Sequence, residues 1–247
     1  MHCLLISALV IGILSGCAGT APTLSPAASP APTASPAPTA SPAPPASPAP
    51  TASPASQGAR ELPPGALSTG SYFGEDEGLR FTFTIAASGW NSYNEGHCCL
   101  LYKGGDSDGV IVFLGGSITS LYAEACHSAG TEFTPGPSVD DLANALASLE
   151  DFETTEPEDV TLSGYSGKRV SLTVPSDLGS DWSACDNGKY SLNSGRYYQA
   201  VGQTDDEWIL DFGGERHDMA FTTAPNTPAD LVAEMEAIRE SLVIEPL

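Results

Sequence analysis

Hydrophobic positions divide the chain into three stretches of different character. Positions 3–14 form an apolar run without a charge. After Leu24 no large apolar residue occurs until Leu62. Beyond Leu62, apolar and polar positions interleave with the periods of strands and helices. Residues 79–85 alternate, with Phe81, Phe83 and Ile85 on one face and Arg80, Thr82 and Thr84 on the other, which predicts a half-buried strand. Gly89-Trp90 reads as a turn with an aromatic plug. Residues 98–102 and 110–114 are apolar runs joined through a Gly/Asp/Ser loop at 104–109, the pattern of a hairpin. A short strand is predicted at 160–162, and a turn at 164–167 leads into a strand at 168–174 with Val170, Leu172 and Val174 on one face. Residues 197–201 read as a further strand.

The strongest local signal lies at 208–221. Gly213-Gly214 supplies the positive φ angles of a two-residue hairpin turn. That register sets Asp211 opposite Arg216, Leu210 opposite His217 and Trp208 opposite Met219, with Phe212 on the side of Trp208, Leu210 and Met219. Two helices are predicted. At 139–149 Ser138 caps the first turn, Asp140 and Asp141 meet the helix dipole, and Leu142, Ala145, Leu146 and Leu149 make an apolar stripe. Near the C-terminus Thr227-Pro228-Ala229-Asp230 reads as a cap, an N1 proline and an acidic N3. That helix runs to about Leu242, with Leu231, Met235, Ile238 and Leu242 on one face. Six or more strands and two helices without regular alternation predict an α+β fold with a mainly antiparallel sheet.

The strand and turn at 81–90, the strand at 165–174 and the final hairpin with its helix resemble the secreted PsbP-like sandwich domains of bacterial surface lipoproteins. The resemblance covers much of 79–247. It contains no functional motif and implies fold alone.

The N-terminal apolar run is shorter than the ~20 residues of a membrane-spanning helix. Its length suits a signal-peptide core, although Met1-His2 carries no basic residue. It closes on Leu14-Ser15-Gly16-Cys17, which resembles the lipobox of bacterial lipoproteins. The resemblance implies cleavage before Cys17, a diacylglyceryl group on its sulfur, and an extracytoplasmic, lipid-anchored location. Two acyl chains give stable anchoring. Residues 17–59 then form a linker. The hexad Ala-Ser-Pro-Ala-Pro-Thr starts at Ala28 and recurs at Ala34 and Ala46, with altered copies at Ala40 and Ala52. Such a tract cannot bury enough surface to offset its ordering entropy. In polyproline II form it reaches on the order of 100 Å. Its Ser and Thr beside Pro also fit an O-glycosylated stalk.

Residues 60–247 form one folded domain on this reading. Every charged residue falls there, beginning at Arg60, so the whole formal charge of −22 is concentrated in it. A surface of that sign repels nucleic acid and anionic lipid and favours cationic ligands or basic partners. The same charge also serves plain solubility.

No local motif for catalysis stands out. Gly164-Tyr165-Ser166-Gly167 lacks the second glycine of a nucleophile elbow, because Lys168 stands there. His97-Cys98-Cys99 and Cys126-His127 offer ligand types, but adjacent strand residues diverge and do not share a zinc ion. Asp106-Ser107-Asp108-Gly109 has too few acids for a calcium loop, and Asp205-Asp206-Glu207 reads as the charged start of a strand. No phosphate loop or dinucleotide fingerprint occurs, and no cofactor is expected. His217 reads as a packed histidine. Four cysteines follow Cys17 and allow three pairings in an oxidising compartment. A Cys126–Cys185 bridge is expected, because each sits in a long irregular segment that gains from a staple. Cys98 and Cys99 are then a buried thiol pair or a vicinal disulfide. The functional expectation is a non-catalytic surface domain that binds a small molecule or a protein. The alternatives are a hydrolase whose site assembles from distant residues, distinguished by His127 or His217 beside a Ser or carboxylate in a pocket, and a structural accessory of the envelope.

Overall fold

The computed structural model describes residues 58–93, 98–179 and 181–247. The expectations for the signal peptide, Cys17, the repeat tract and His97 lie outside the described residues.

The larger sheet is built from β2 (Gly65–Ala66), β5 (Asn91–Tyr93), β6 (Leu100–Lys103), β7 (Val110–Phe113), β10 (Glu153–Thr154), β11 (Glu158–Leu162), β12 (Tyr165–Thr173), β15 (Thr204–Asp211) and β16 (Arg216–Thr223). Its order is β10-β12-β15-β16-β7-β6-β5-β2, with β11 also on β12, and all its pairings are antiparallel. The smaller sheet has the order β1-β3-β4-β17, from β1 (Arg60–Glu61), β3 (Gly70–Asp76), β4 (Leu79–Ile85) and β17 (Val243–Pro246). Two short pairs, β8 (Leu121–Tyr122) with β9 (Glu132–Phe133) and β13 (Tyr190–Ser191) with β14 (Tyr197–Tyr198), lie in the long connections. The helices are α1 (Val139–Ala147) and α2 (Ala229–Glu240). The chain is α+β with a mainly antiparallel sheet.

The β15–β16 hairpin has Trp208 opposite Met219, Leu210 opposite His217 and Asp211 opposite Arg216. Gly213 and Gly214 have φ of 76° and 101°, which side-chain-bearing residues rarely adopt. The alternation along β15 and β16 then divides the core in two. Trp208, Leu210, Met219 and Phe221 face Phe81 and Phe83 of the small sheet and Leu231, Met235 and Ile238 of α2. On the opposite side, Ile209 joins Val170 and Leu172 beneath Leu142, Ala143 and Leu146 of α1. Each fully buried large apolar side chain contributes about 1.5–3 kcal/mol relative to exposure, so both faces of the central strands are committed to packing.

Several boundaries differ from the sequence pattern. The strand expected at 197–201 stops at Tyr198, since the chain then turns and the Gln203 side chain accepts the Gln199 amide at 2.9 Å. The turn before β12 lies at Ser163-Gly164, where φ is 52° and 86°, so residues 165–167 already belong to the strand. Helix α1 starts with a full capping box between Ser138 and Asp141, and those bonds hold the Asp141 carboxyl below its usual range. Helix α2 starts one residue later than its motif implies. Thr227 does not cap it; its hydroxyl donates to Gly109 O at 2.7 Å and ties the helix to the β6–β7 loop.

Strand β6 begins at Leu100, so Cys98 and Cys99 precede it and the alternation of a strand does not separate them. They are bonded to each other across a cis peptide rather than held as a thiol pair. Their sulfurs occupy the space above Gly74 on β3, where a Cβ would collide with both.

Candidate functional site

The face of the large sheet that α1 covers is covered only in part. Asp205, Glu207 and Ile209 share this face of β15, and the register places Thr222, Ala220 and Asp218 opposite them on β16. Ile111 and Phe113 of β7 and Leu100 and Tyr102 of β6 continue the same face. Over β12 and β15 the helix packs tightly, but Leu100, Ile111 and Phe113 stay half-buried and Tyr102 is exposed. A cleft of about 590 Å³ opens over this second half. Leu100, Ile111 and Phe113 line it from the sheet, with Asp218 and Thr222 beside them. Gly116–Ser120 and the tip of the β13–β14 hairpin complete it, and Glu77 and Gln203 also contribute.

The hairpin is held by two long irregular segments that brace one another. The Ser191 amide donates to Ala125 O at 2.8 Å, the Tyr122 amide to Leu192 O at 2.9 Å and the Asp186 amide to Cys126 O at 2.8 Å. Cys126 and Cys185 are joined, with S–S 2.09 Å and Cα–Cα 4.5 Å. Beneath them Phe152 packs on the edges of Tyr190 and Tyr198. At the hairpin tip Asn193 Oδ1 accepts the amides of Gly195 and Arg196, both at 2.9 Å, which turns Arg196 back toward the sheet.

The Arg196 guanidinium meets two buried carboxylates. Its Nη2 lies 2.7 Å from Asp205 Oδ2 and its Nη1 2.7 Å from Glu207 Oε1. Thr222 Oγ1 donates to Asp205 Oδ1 at 2.6 Å, so Asp205 has a partner on each oxygen. Glu207, at 0% exposure, is less well served. Its contact with Arg196 is an ion pair without hydrogen-bond alignment, and its Oε2 has no hydrogen-bond partner among the described residues. Burial therefore pushes the Glu207 carboxyl up, and the pull of Arg196 does not compensate. Arg196 itself keeps its charge: burial opposes it, but Asp205 and Glu207 outweigh the burial. Burial and the nearby Asp205 hold Tyr198 as a neutral phenol. Asp218 is 2% exposed, and its Oδ1 accepts the Ile118 amide at 2.5 Å. Burial pushes it up to about 6, against the pull of that amide, Arg196 and Arg216.

Glu77 reaches the cleft from the two-residue β3–β4 turn, where φ of 46° at Glu77 and 80° at Gly78 fits a hairpin turn. Ser117 Oγ donates to Glu77 Oε2 at 2.8 Å, and His217 Nδ1 lies 3.6 Å from the same oxygen. The order is thus Ser–Glu–His. A nucleophilic serine needs the imidazole between it and the acid, so this row orients Glu77 and does not activate Ser117. His217 also packs on the edge of Phe212.

The other residues singled out in the sequence lie apart from the cleft. His127 is exposed, and its Nδ1 lies 3.9 Å from Asp186 Oδ1. Ser166 belongs to β12 and lines a smaller recess of about 350 Å³ at the start of α1. There Lys168 is occupied by Asp159 at 2.6 Å, and Arg216 is spent on the Ile118 and Gly136 carbonyls. Asp108 caps its own loop by accepting the Gly105 amide at 3.0 Å. Asp206 points away from Asp205 and Glu207 to Arg169, whose Nη2 donates to both of its oxygens, at 3.0 and 2.8 Å. Among the described residues no three of His, Cys, Asp and Glu converge as metal ligands. Sequence reasoning missed Arg196, Asp218 and the inward pair Asp205 and Glu207. The available signal was the two-residue spacing of Asp205, Glu207 and Ile209, which puts both acids on the face of a buried isoleucine.

No protein-family model matches the chain, and a search of curated proteins finds no match.

Proposed function

We propose that the chain is a lipid-anchored, extracytoplasmic binding protein, which presents a small-molecule cleft at the end of a proline-rich tether. The cleft over the open half of the sheet carries this reading. Its volume lies within the ~300–1,000 Å³ of small-molecule sites, and it combines an apolar floor with a few fixed polar groups. Two disulfides among the described residues belong to an oxidising compartment, which agrees with the anchor motif at Cys17. No described helix is long and apolar enough to cross a membrane. His217 stands beside the Glu77 carboxylate, but the Ser117–Glu77–His217 order does not activate Ser117 and His217 is not among the residues that line the cleft, which favours binding over serine hydrolysis. The succession of strands and helices supports the likeness to PsbP-like sandwiches at the level of fold.

Two measurements test the proposal. Metabolic labelling with an alkyne fatty acid should tag the protein and miss Cys17→Ser; equal labelling of both removes the anchor. Compounds that raise the melting temperature should lose that effect in Ile111→Arg, which places a long charged chain in the half-buried floor. A ligand at ~100 times its Kd stabilises by ~2.7 kcal/mol, well within the reach of a melting assay. Equal stabilisation of both proteins would place the ligand elsewhere.

A further inference from the structure

We infer that the ligand of this cleft is an organic cation with an apolar body, and that Asp218 is the counter-ion for its charged head. The inference rests on the cleft reading above and names the chemistry of its ligand.

Asp218 lines the cleft, is almost wholly buried, and among the described residues makes one hydrogen bond, to the Ile118 amide. No described lysine, arginine or histidine forms an ion pair with it. The cations nearby are already committed. Arg196 holds Asp205 and Glu207, Arg216 is bonded to the Gly136, Ser138 and Ile118 carbonyls, and His217 faces Glu77. Four carboxyl groups, Glu77, Asp205, Glu207 and Asp218, thus surround this corner against two guanidinium groups. A buried carboxylate without a cationic partner is costly, and a bound cation removes that cost.

The rest of the cleft decides which cation. A divalent ion takes several oxygen ligands at once, and the described acids do not converge in that way. An ammonium group needs one carboxylate and leaves the remainder of its molecule to be sheltered. Leu100, Ile111 and Phe113 provide that shelter in the same cleft, Phe113 standing opposite Ala220, two positions from Asp218 on β16. An anionic ligand would meet Asp218 and Glu77 at close range, inside a domain whose formal charge is −22. The same field raises the local concentration of cations at the mouth.

A proton competes with such a ligand for the carboxylate. Asp218 feels Glu77 from the β3–β4 turn, Arg216 on its own strand, Arg196 from the hairpin, and Glu207 beyond it. Burial leaves Asp218 half-ionised at about pH 6. Capture therefore strengthens as the pH rises through that value and weakens as it falls.

The test uses the chain from residue 18 onward, which carries neither the apolar run nor the lipid site, and three phenylalkyl probes that differ in charge: 2-phenylethylamine, 2-phenylethanol and 3-phenylpropanoate. In an NMR titration the amine should shift the backbone resonances of Phe113 and Asp218 and bind at least about tenfold more tightly than the other two. Asp218→Asn keeps the acceptor for the Ile118 amide, and should weaken the amine about tenfold while leaving the alcohol unchanged. The pH series on the protein with Asp218 intact needs no further variant: amine affinity should fall from about pH 7 to about pH 5. Equal binding of all three probes, or an amine affinity indifferent to both pH and Asp218→Asn, overturns the cation while the cleft stands. No shift at Phe113 with any probe overturns the cleft and the cation together.

Discussion

Replacing Arg196 with methionine should destabilise the protein by ~3–5 kcal/mol near neutral pH, the usual consequence of removing one partner from a buried ion pair. Methionine preserves most of the aliphatic volume, so the loss reports charge rather than a cavity. It leaves Asp205 and Glu207, at 1% and 0% exposure, without their cation. The penalty depends on pH in a fixed direction. Burial already pushes the Glu207 carboxyl up, and without the guanidinium no cation opposes that push. Such a group is neutral, and costs little, below the unfolded value; the stability it contributes is lost as the pH rises toward the folded value. The loss in Arg196→Met should therefore be small near pH 4 and grow toward about pH 8. Urea unfolding at both ends of that range measures it. Adding Glu207→Gln should restore part of the stability at the alkaline end of that range, because the buried carboxyl that ionises there without its cation is removed. A loss that is the same at both pH values would mean that Arg196 acts through packing alone.

This ion cluster shows why the site was less legible than the fold. The β15–β16 register could be read from Gly213-Gly214 and the apolar run beside it, because a tight turn fixes which residues face each other. Helix α1 could be read from Ser138 and the leucine spacing, since cap and stripe are local signals. Strands β3 and β17 were missed. Gly70, Gly74 and the acids of β3 weaken its alternation, and β17 is four residues long and held by pairing with β4. Along β15 the acids Asp205 and Glu207 alternate with Asp206 and Trp208, and Trp208 marks its own face as a core face. Nothing local shows that the acidic face is buried as well. Its cover arrives from α1 and from the hairpin that carries Arg196, both remote in sequence. The open half-sheet is equally silent. Leu100, Ile111 and Phe113 read as ordinary strand residues, and only the extent of α1 and of the stapled segments determines that they line a cleft.

Those segments carry the second large effect. The double variant Cys126→Ala/Cys185→Ala should lose ~4 kcal/mol, the chain-entropy value for a loop of this length. The bridge joins residues 59 positions apart, and without it the unfolded chain regains the freedom of that loop. The folded state gains nothing in return, since Cys185 is buried against the α1-side core. The backbone bonds from Ser191, Tyr122 and Asp186 remain and should keep the fold recognisable. The loosened part should be the hairpin that positions Arg196. Faster amide exchange at residues 190–198 than in β15 and β16 would therefore accompany the drop in stability. The second bridge gives the internal control. Cys98 and Cys99 are neighbours, so removing their bond by Cys98→Ala/Cys99→Ala releases almost no loop, and what is lost is contact around Gly74. Non-reducing denaturation of the two double variants decides the matter. If the Cys126/Cys185 pair costs less than the Cys98/Cys99 pair, the long segments are held by their hydrogen bonds and aromatic packing, and the staple is not what fixes the wall of the cleft.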